Sequence, residues 1–205
     1  MARALGATHL DSGALYRALT LIALEQADRS AAAILGSAGA RGLALRPGGG
    51  DLVPFLDNRD AEPRIRTPEV TALVSEVSAM PEIREWVNSR LRQAAVGSGI
   101  LVLDGRDIGT AVFPSASVKV FLTATPEARA RRRLLQRGER ADAEQVAREA
   151  AMLAERDRLD SSRAVAPLRK AEDAVVLDTT RQSFDEQVGA IVSLVRQRIS
   201  TYTRP

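Results

Sequence analysis

Apolar residues along this chain fall into two kinds of run, and the difference between them predicts its elements. Residues 100–103 (ILVL), 117–122 (SVKVFL) and 174–177 (AVVL) are short apolar stretches of β-forming residues, and 7–10 is a shorter stretch of the same kind. Such runs suit strands covered on both faces of a parallel sheet. Between them the apolar positions recur at helical spacing. Leu15, Leu19, Ile22 and Leu24 predict a helix over 14–26, and Phe184, Val188, Ile191, Leu194 and Val195 predict a closing helix over 183–199 with one apolar side. Residues 31–42 read as a small-residue helix, 43–45 and 52–56 as a small hairpin appended to the main fold, and 143–159 as a polar helical hairpin.

Punctuation fixes several boundaries. Residues 1–6 look like the tail of a helix stopped by Gly6. Ser12 is placed to cap the helix that follows Asp11-Ser12-Gly13, with Arg17 about one turn in. Thr67-Pro68 and Thr125-Pro126 each read as a cap followed by proline at the first helical position, and Pro81 opens a helix reaching residue 95. Gly48, Gly49 and Gly50 make a turn; no Lys-Ser/Thr pair follows them, as a phosphate loop requires. Trp86, the one tryptophan, is expected to pack in the core. His9, the one histidine, has no second His or Cys to share a metal with.

Length and composition add bounds. With 205 residues, 45% hydrophobic and 27% charged, a single well-cored domain is expected. The absence of cysteine excludes disulfides and thiolate chemistry. No apolar run reaches about 18 residues and Met1 opens on no leader, so a cytoplasmic, non-membrane protein is expected. The net charge of +3 is carried almost wholly by arginine, since only Lys119 and Lys170 are lysine. Arginine suits bidentate grip on phosphate or carboxylate, although GC-rich coding gives the same bias. Aromatics make up 3% and no nucleic-acid-binding signature occurs, so nucleic acid is not an expected partner.

The candidate chemistry lies where strands end. The 100–103 run leads into Asp104-Gly105-Arg106-Asp107, and open parallel sheets place ligands outside the carboxyl ends of their strands. A solvated turn with a local ion pair is the alternative. The block Arg129-Ala130-Arg131-Arg132-Arg133 is either a solvated helical face or a ligand contact. Arg156, Asp160 and Arg163 fall on one face if their helix persists, where Asp160 pairs with the arginines or faces a ligand.

Four stretches jointly resemble the bacterial cytidylate kinases, of the nucleoside monophosphate kinase family: Leu10-Asp11-Ser12-Gly13-Ala14-Leu15-Tyr16-Arg17, Ile65-Arg66-Thr67-Pro68-Glu69-Val70, the run from Asp104 to Pro114, and the run from Asp157 to Leu168. The match follows the family's order over essentially the whole chain. It implies an α/β fold, a three-layer parallel sheet of the P-loop nucleoside-monophosphate-kinase type, with a nucleotide-binding insert at about 31–66 and a helical lid at about 132–163. The implied activity is transfer of the γ-phosphoryl group of ATP to CMP or dCMP with Mg²⁺, in a monomer. By resemblance Ser12, Arg17 and Arg106 hold the acceptor phosphate. Ser75, Arg84 and Asp107 read the cytosine edge, Asp160 and Arg163 fix the ribose and close over the phosphates, Arg132 and Arg156 face ATP, and Asp104 orients magnesium or its waters. Such chemistry needs in-line positioning and positive charge rather than a covalent catalyst. Uridylate, adenylate and shikimate kinases share the general plan.

One departure is large. The family's N-terminal strand and G-x-x-G-x-G-K-S/T loop, which hold the ATP phosphates, have no counterpart in these residues. The expectation is therefore a late-called start of an active kinase. A degenerate CMP-binding protein and an inactive fragment are the alternatives. The missing strand is central in the related folds, and its loss is expected to leave the strands ending at Asp104 and near Leu122 each short of a neighbour.

Overall fold

The structure, a computed structural model, describes residues 1–202. The chain forms two compact units, Ala2–Ile108 and the residues from Gly109 onward.

The first unit contains α1 (Ala2–Leu5), β1 (Thr8–Asp11), α2 (Ser12–Leu24), α3 (Ala31–Ala40), β2 (Ala44–Gly48), β3 (Asp51–Leu56), β4 (Arg59–Asp60), α4 (Glu62–Ile65), α5 (Pro68–Val77), α6 (Pro81–Ala95) and β5 (Leu101–Asp104). Its strands run in the order β2-β3-β1-β5, with β4 beside β3. β1 is parallel to both β3 and β5, and the register sets Asp11 opposite Asp104 and His9 opposite both Val102 and Asp51. The β2–β3 hairpin is antiparallel, and its turn uses Gly49 and Gly50 at φ of 64° and 94°, where a side chain would be strained. The hairpin is not a separate appendage, because β3 lies directly beside β1. The core is built from the apolar face of α2 (Leu15, Leu19, Ile22) with Leu10, Ile34, Leu56, Ile65, Val70, Val77, Ile83, Val87 and Leu91, all at most 1% exposed.

The second unit contains β6 (Val120–Thr123), α7 (Pro126–Gln136), α8 (Ala143–Ser162), β7 (Val175–Asp178) and α9 (Phe184–Tyr202). β6 and β7 form a two-stranded parallel sheet. Residues 143–162 are a single helix rather than a hairpin; the antiparallel partner that the polar pattern calls for is α7, and the two bury Ala130, Leu134, Val146, Ala150 and Leu153 between them. The architecture is mixed α/β, with β1, β3, β5, β6 and β7 engaged in parallel pairs.

Several expectations fail for identifiable reasons. Coverage of the short apolar strands on both faces is not reached: with β6 paired to β7, Leu122 and Val176 stay 53% and 52% exposed. Trp86 is half-buried, its ring covered by the Arg90 guanidinium at 5.0 Å, one helical turn away. Phe184 is exposed at the first turn of α9, whereas Val192 is buried. Periodicity assigns a residue to a face without fixing how far the neighbouring element reaches.

Candidate functional site

The carboxyl ends of β1 and β5 meet the start of α2. Asp11, not Ser12, caps that helix: its carboxylate accepts from Gly13 N at 2.8 Å. Ser12 is the first helical residue, and its buried hydroxyl donates to the Asp104 carbonyl at 2.8 Å, tying α2 to the end of β5. A charged carboxylate is the stronger acceptor at a helix N-terminus, which frees the hydroxyl for this link. Gly105 is required here, since a Cβ on it would stand 2.3 Å from Ser12 Oγ and 2.8 Å from Ile108.

Beyond this junction lies a buried ion pair. Arg84, on α6, donates from Nη2 to Asp107 Oδ2 at 2.6 Å and from Nη1 to the Ser78 carbonyl at 2.9 Å, with its guanidinium 5.5 Å from the Tyr16 ring. The two side chains are 3% and 5% exposed. Arg84 Nε is buried and has no hydrogen-bond partner among the described residues. Ser75, half-buried on α5, accepts at its carbonyl from Ser78 Oγ, so it belongs to the same corner. Arg17 donates to Thr71 Oγ1 at 3.0 Å, and Arg106 is half-buried between Gly105 and Asp107.

Four residues assigned no role by the sequence, His9, Asp11, Glu62 and Arg66, join this site. His9 Nε2 lies 2.7 Å from Asp104 Oδ1, and Arg66 reaches Asp11 Oδ2 at 2.9 Å and Glu62 at 3.0 Å. The parallel register of β1 and β5, had it been inferred, would have placed Asp11 beside Asp104; nothing in the local sequence singles out His9. Crowding at the strand ends pushes the Asp104 carboxyl above its ordinary range and the Asp11 charge adds to this, while His9 and Arg66 pull it down. Its side chain is 63% exposed, so solvent screens these effects. Among the described residues no three histidine or acidic side chains group as a metal cage.

The remaining candidates lie in the second unit. Asp160 is 1% exposed near the end of α8 and forms an ion pair with Arg163, the cap of that helix. Leu168 N returns to the Asp160 carbonyl at 2.8 Å, folding the following strap against the helix end. Arg156 is half-buried one turn earlier. The four arginines of the 129–133 block are not a free solvated face. Arg129 pairs with Asp157, Arg131 donates to the Ala141 carbonyl and Arg133 pairs with Glu149. Arg132 donates to Thr179 and to the Gln182 carbonyl, bracing the turn after β7.

No helix among the described residues is long and apolar enough to cross a membrane. Comparison with known proteins agrees with the motifs. A cytidylate kinase family profile matches residues 1–197. The cytidylate kinase of Carboxydothermus hydrogenoformans is 40% identical over 206 residues, covering 97% of this chain and 90% of its own length. That of Mycobacterium leprae is 44% identical over 199 residues, covering 97% and 88%, and that of Rhodococcus opacus 41% over 204, covering 97% and 87%. With its strand-end carboxylates, buried Arg84–Asp107 pair and near full-length similarity, the chain belongs to the cytidylate kinase family.

Proposed function

We propose that this protein transfers the γ-phosphoryl group of ATP to CMP or dCMP, and that residues 1–205 hold the acceptor side of that site. The observation that carries this assignment is the buried Arg84–Asp107 pair with Arg84 Nε left unpaired. Cytosine presents an amino donor at N4 beside the N3 and O2 acceptors, whereas uracil offers the reverse at positions 4 and 3. A carboxylate accepting from N4 and a guanidinium donating to N3 or O2 match cytosine and repel uracil. Ser75 completes this edge. Uracil would set a donor against Arg84 and an acceptor against Asp107, which is costly in so buried a place and makes the pair a strong discriminator.

Ser12, Arg17 and Arg106 hold the acceptor phosphate, Asp160 and Arg163 the ribose and phosphates, and Arg132 and Arg156 the ATP side. These arginines lower the barrier by orienting the phosphates in line and balancing charge that develops in the transition state. Asp104 fits magnesium as a single carboxylate with its side chain largely in solvent, since Mg²⁺ keeps several waters and binds through one or two carboxylates plus substrate phosphates. When bound, the ion would supply positive charge against the phosphate oxygens. Residues 31–66 serve as the nucleotide-binding insert and 132–163 as the lid, whose closure excludes water as a competing acceptor. The working form is a cytoplasmic monomer whose partners are small nucleotides. No G-x-x-G-x-G-K-S/T run occurs in these residues, so transfer also requires a strand and donor loop that they do not hold.

The test is label transfer from γ-labelled ATP in a chain where these residues follow such a strand and loop. CMP and dCMP take the label, with UMP and AMP at least about tenfold slower, the scale of one lost polar contact. Equal labelling of UMP overturns the cytosine assignment, and no labelling of any nucleotide overturns the kinase assignment.

A further inference from the structure

His9 has no part in the roles above, yet it stands between carboxylates on both neighbouring strands. In the register of β1 it faces Asp51 of β3 and Val102 of β5, and Asp104 lies two residues beyond Val102, on the same side of the sheet. An imidazole spans such a diagonal, and Nε2 is 2.7 Å from Asp104 Oδ1. Nδ1 is 3.8 Å from Asp51 Oδ1, beyond hydrogen-bond range. The bond is therefore to Asp104.

We propose that His9 is a positioning residue that fixes the Asp104 carboxylate at the end of β5. This rests on the assignment of Asp104 to magnesium or its waters. Asp104 faces a like charge, because Asp11 is directly opposite on the adjacent strand. Asp11 is held by Gly13 N and Arg66, but the Asp104 side chain is largely in solvent and free to swing from its neighbour. Two tethers prevent this. Ser12 Oγ holds the Asp104 carbonyl, and His9 Nε2 holds its carboxylate. A side chain that aims a metal-binding carboxylate acts as outer-shell partners do, by fixing orientation before the ion arrives.

His9 is the sole histidine, so the imidazole ¹⁵N–¹H spectrum of the 205-residue chain holds one spin system. Asp104→Ala is expected to move the Nε2 resonance, and Asp51→Ala to leave it in place; an Nε2 resonance indifferent to Asp104→Ala overturns the contact. The second arm uses Mn²⁺ with saturating CMP, whose phosphate supplies the further oxygens such an ion needs, followed by electron paramagnetic resonance, with thermal melts to confirm folding. A glutamine amide nitrogen reaches the place of Nε2, and an asparagine amide only that of Nδ1. His9→Gln should therefore bind Mn²⁺ like the native chain, while His9→Asn and His9→Leu bind about tenfold more weakly. Equal affinity in His9→Leu overturns the positioning role. No Mn²⁺ binding by the native chain overturns the metal assignment of Asp104, and the positioning role with it, and leaves the cytosine assignment standing.

Discussion

Arg84 and Asp107 show how a pair can be costly alone and useful together. Both are almost fully buried, and the attraction across 2.6 Å offsets the loss of water around each. Arg84→Met removes the guanidinium that faces the buried Asp107 carboxylate and should cost about 3–5 kcal/mol in denaturant unfolding. Arg84→Met with Asp107→Leu should recover most of that stability and still fail to bind CMP, which separates recognition from folding. Asp104 makes the opposite trade. Its folded pKa is raised, so ionisation costs more in the folded chain than in the unfolded one. The penalty is absent in acid, appears as pH rises through the ordinary carboxylate range and is complete above the raised folded value. Asp104→Asn should therefore raise Tm at pH 7, with the gain closing below about pH 4; a lower Tm at pH 7 would contradict this. The motifs single out Arg84, Asp104 and Asp107, but not the partners each one meets. Ser12 reads as a cap from its position alone, and only the geometry shows Asp11 taking that place while Ser12 Oγ crosses to β5.

Among the elements, the helices were the most legible, because caps and apolar spacing are local. Thr67 and Thr125 accept from Val70 N and Ala128 N as their sequences predict, and Ser183 and Glu186 close a reciprocal capping box at the head of α9. The joining of elements was less legible, since it depends on residues far apart in the chain. Nothing around Asp51 announces that β3 will lie beside β1, and the polar stretch over 143–159 does not say that its antiparallel partner precedes it. That α7–α8 pairing is held by a small apolar seam and by Glu149, whose side chain is 10% exposed between Arg133 and Arg137. The Arg137 hydrogen bond holds the Glu149 carboxyl below its usual range against the opposing effect of burial. A depressed folded pKa means stability present above the ordinary glutamate value and lost as pH falls through the folded one. Glu149→Gln should cost about 1–2 kcal/mol at pH 7 in thermal or denaturant unfolding, the lower end reflecting the exposure of both arginines. The difference from the native chain should vanish in acid.

At the scale of the molecule, family and activity class were legible because four motifs recur in one order, and the similarity over 97% of the chain to the Mycobacterium leprae and Carboxydothermus hydrogenoformans kinases agrees with them. What composition alone suggested, an arginine-rich basic surface, proved uninformative, because the arginines of α7 are engaged by Asp157, Glu149 and backbone carbonyls. The residues proposed for the acceptor side, from Ser12 to Asp107, all fall in the first unit and the Arg132, Arg156, Asp160 and Arg163 set in the second. Phosphoryl transfer needs a donor-phosphate loop as well, so the 205-residue chain supplied with ATP, Mg²⁺ and CMP should form no CDP at a useful rate in a chromatographic assay, even where it binds CMP. The most direct measurement is calorimetric titration of this chain with CMP, UMP and cytidine. Saturable CMP binding is predicted, with UMP at least about tenfold weaker because it reverses the donors and acceptors facing Arg84 and Asp107, and with cytidine weakened by loss of its phosphate. UMP binding as tightly as CMP would contradict the account.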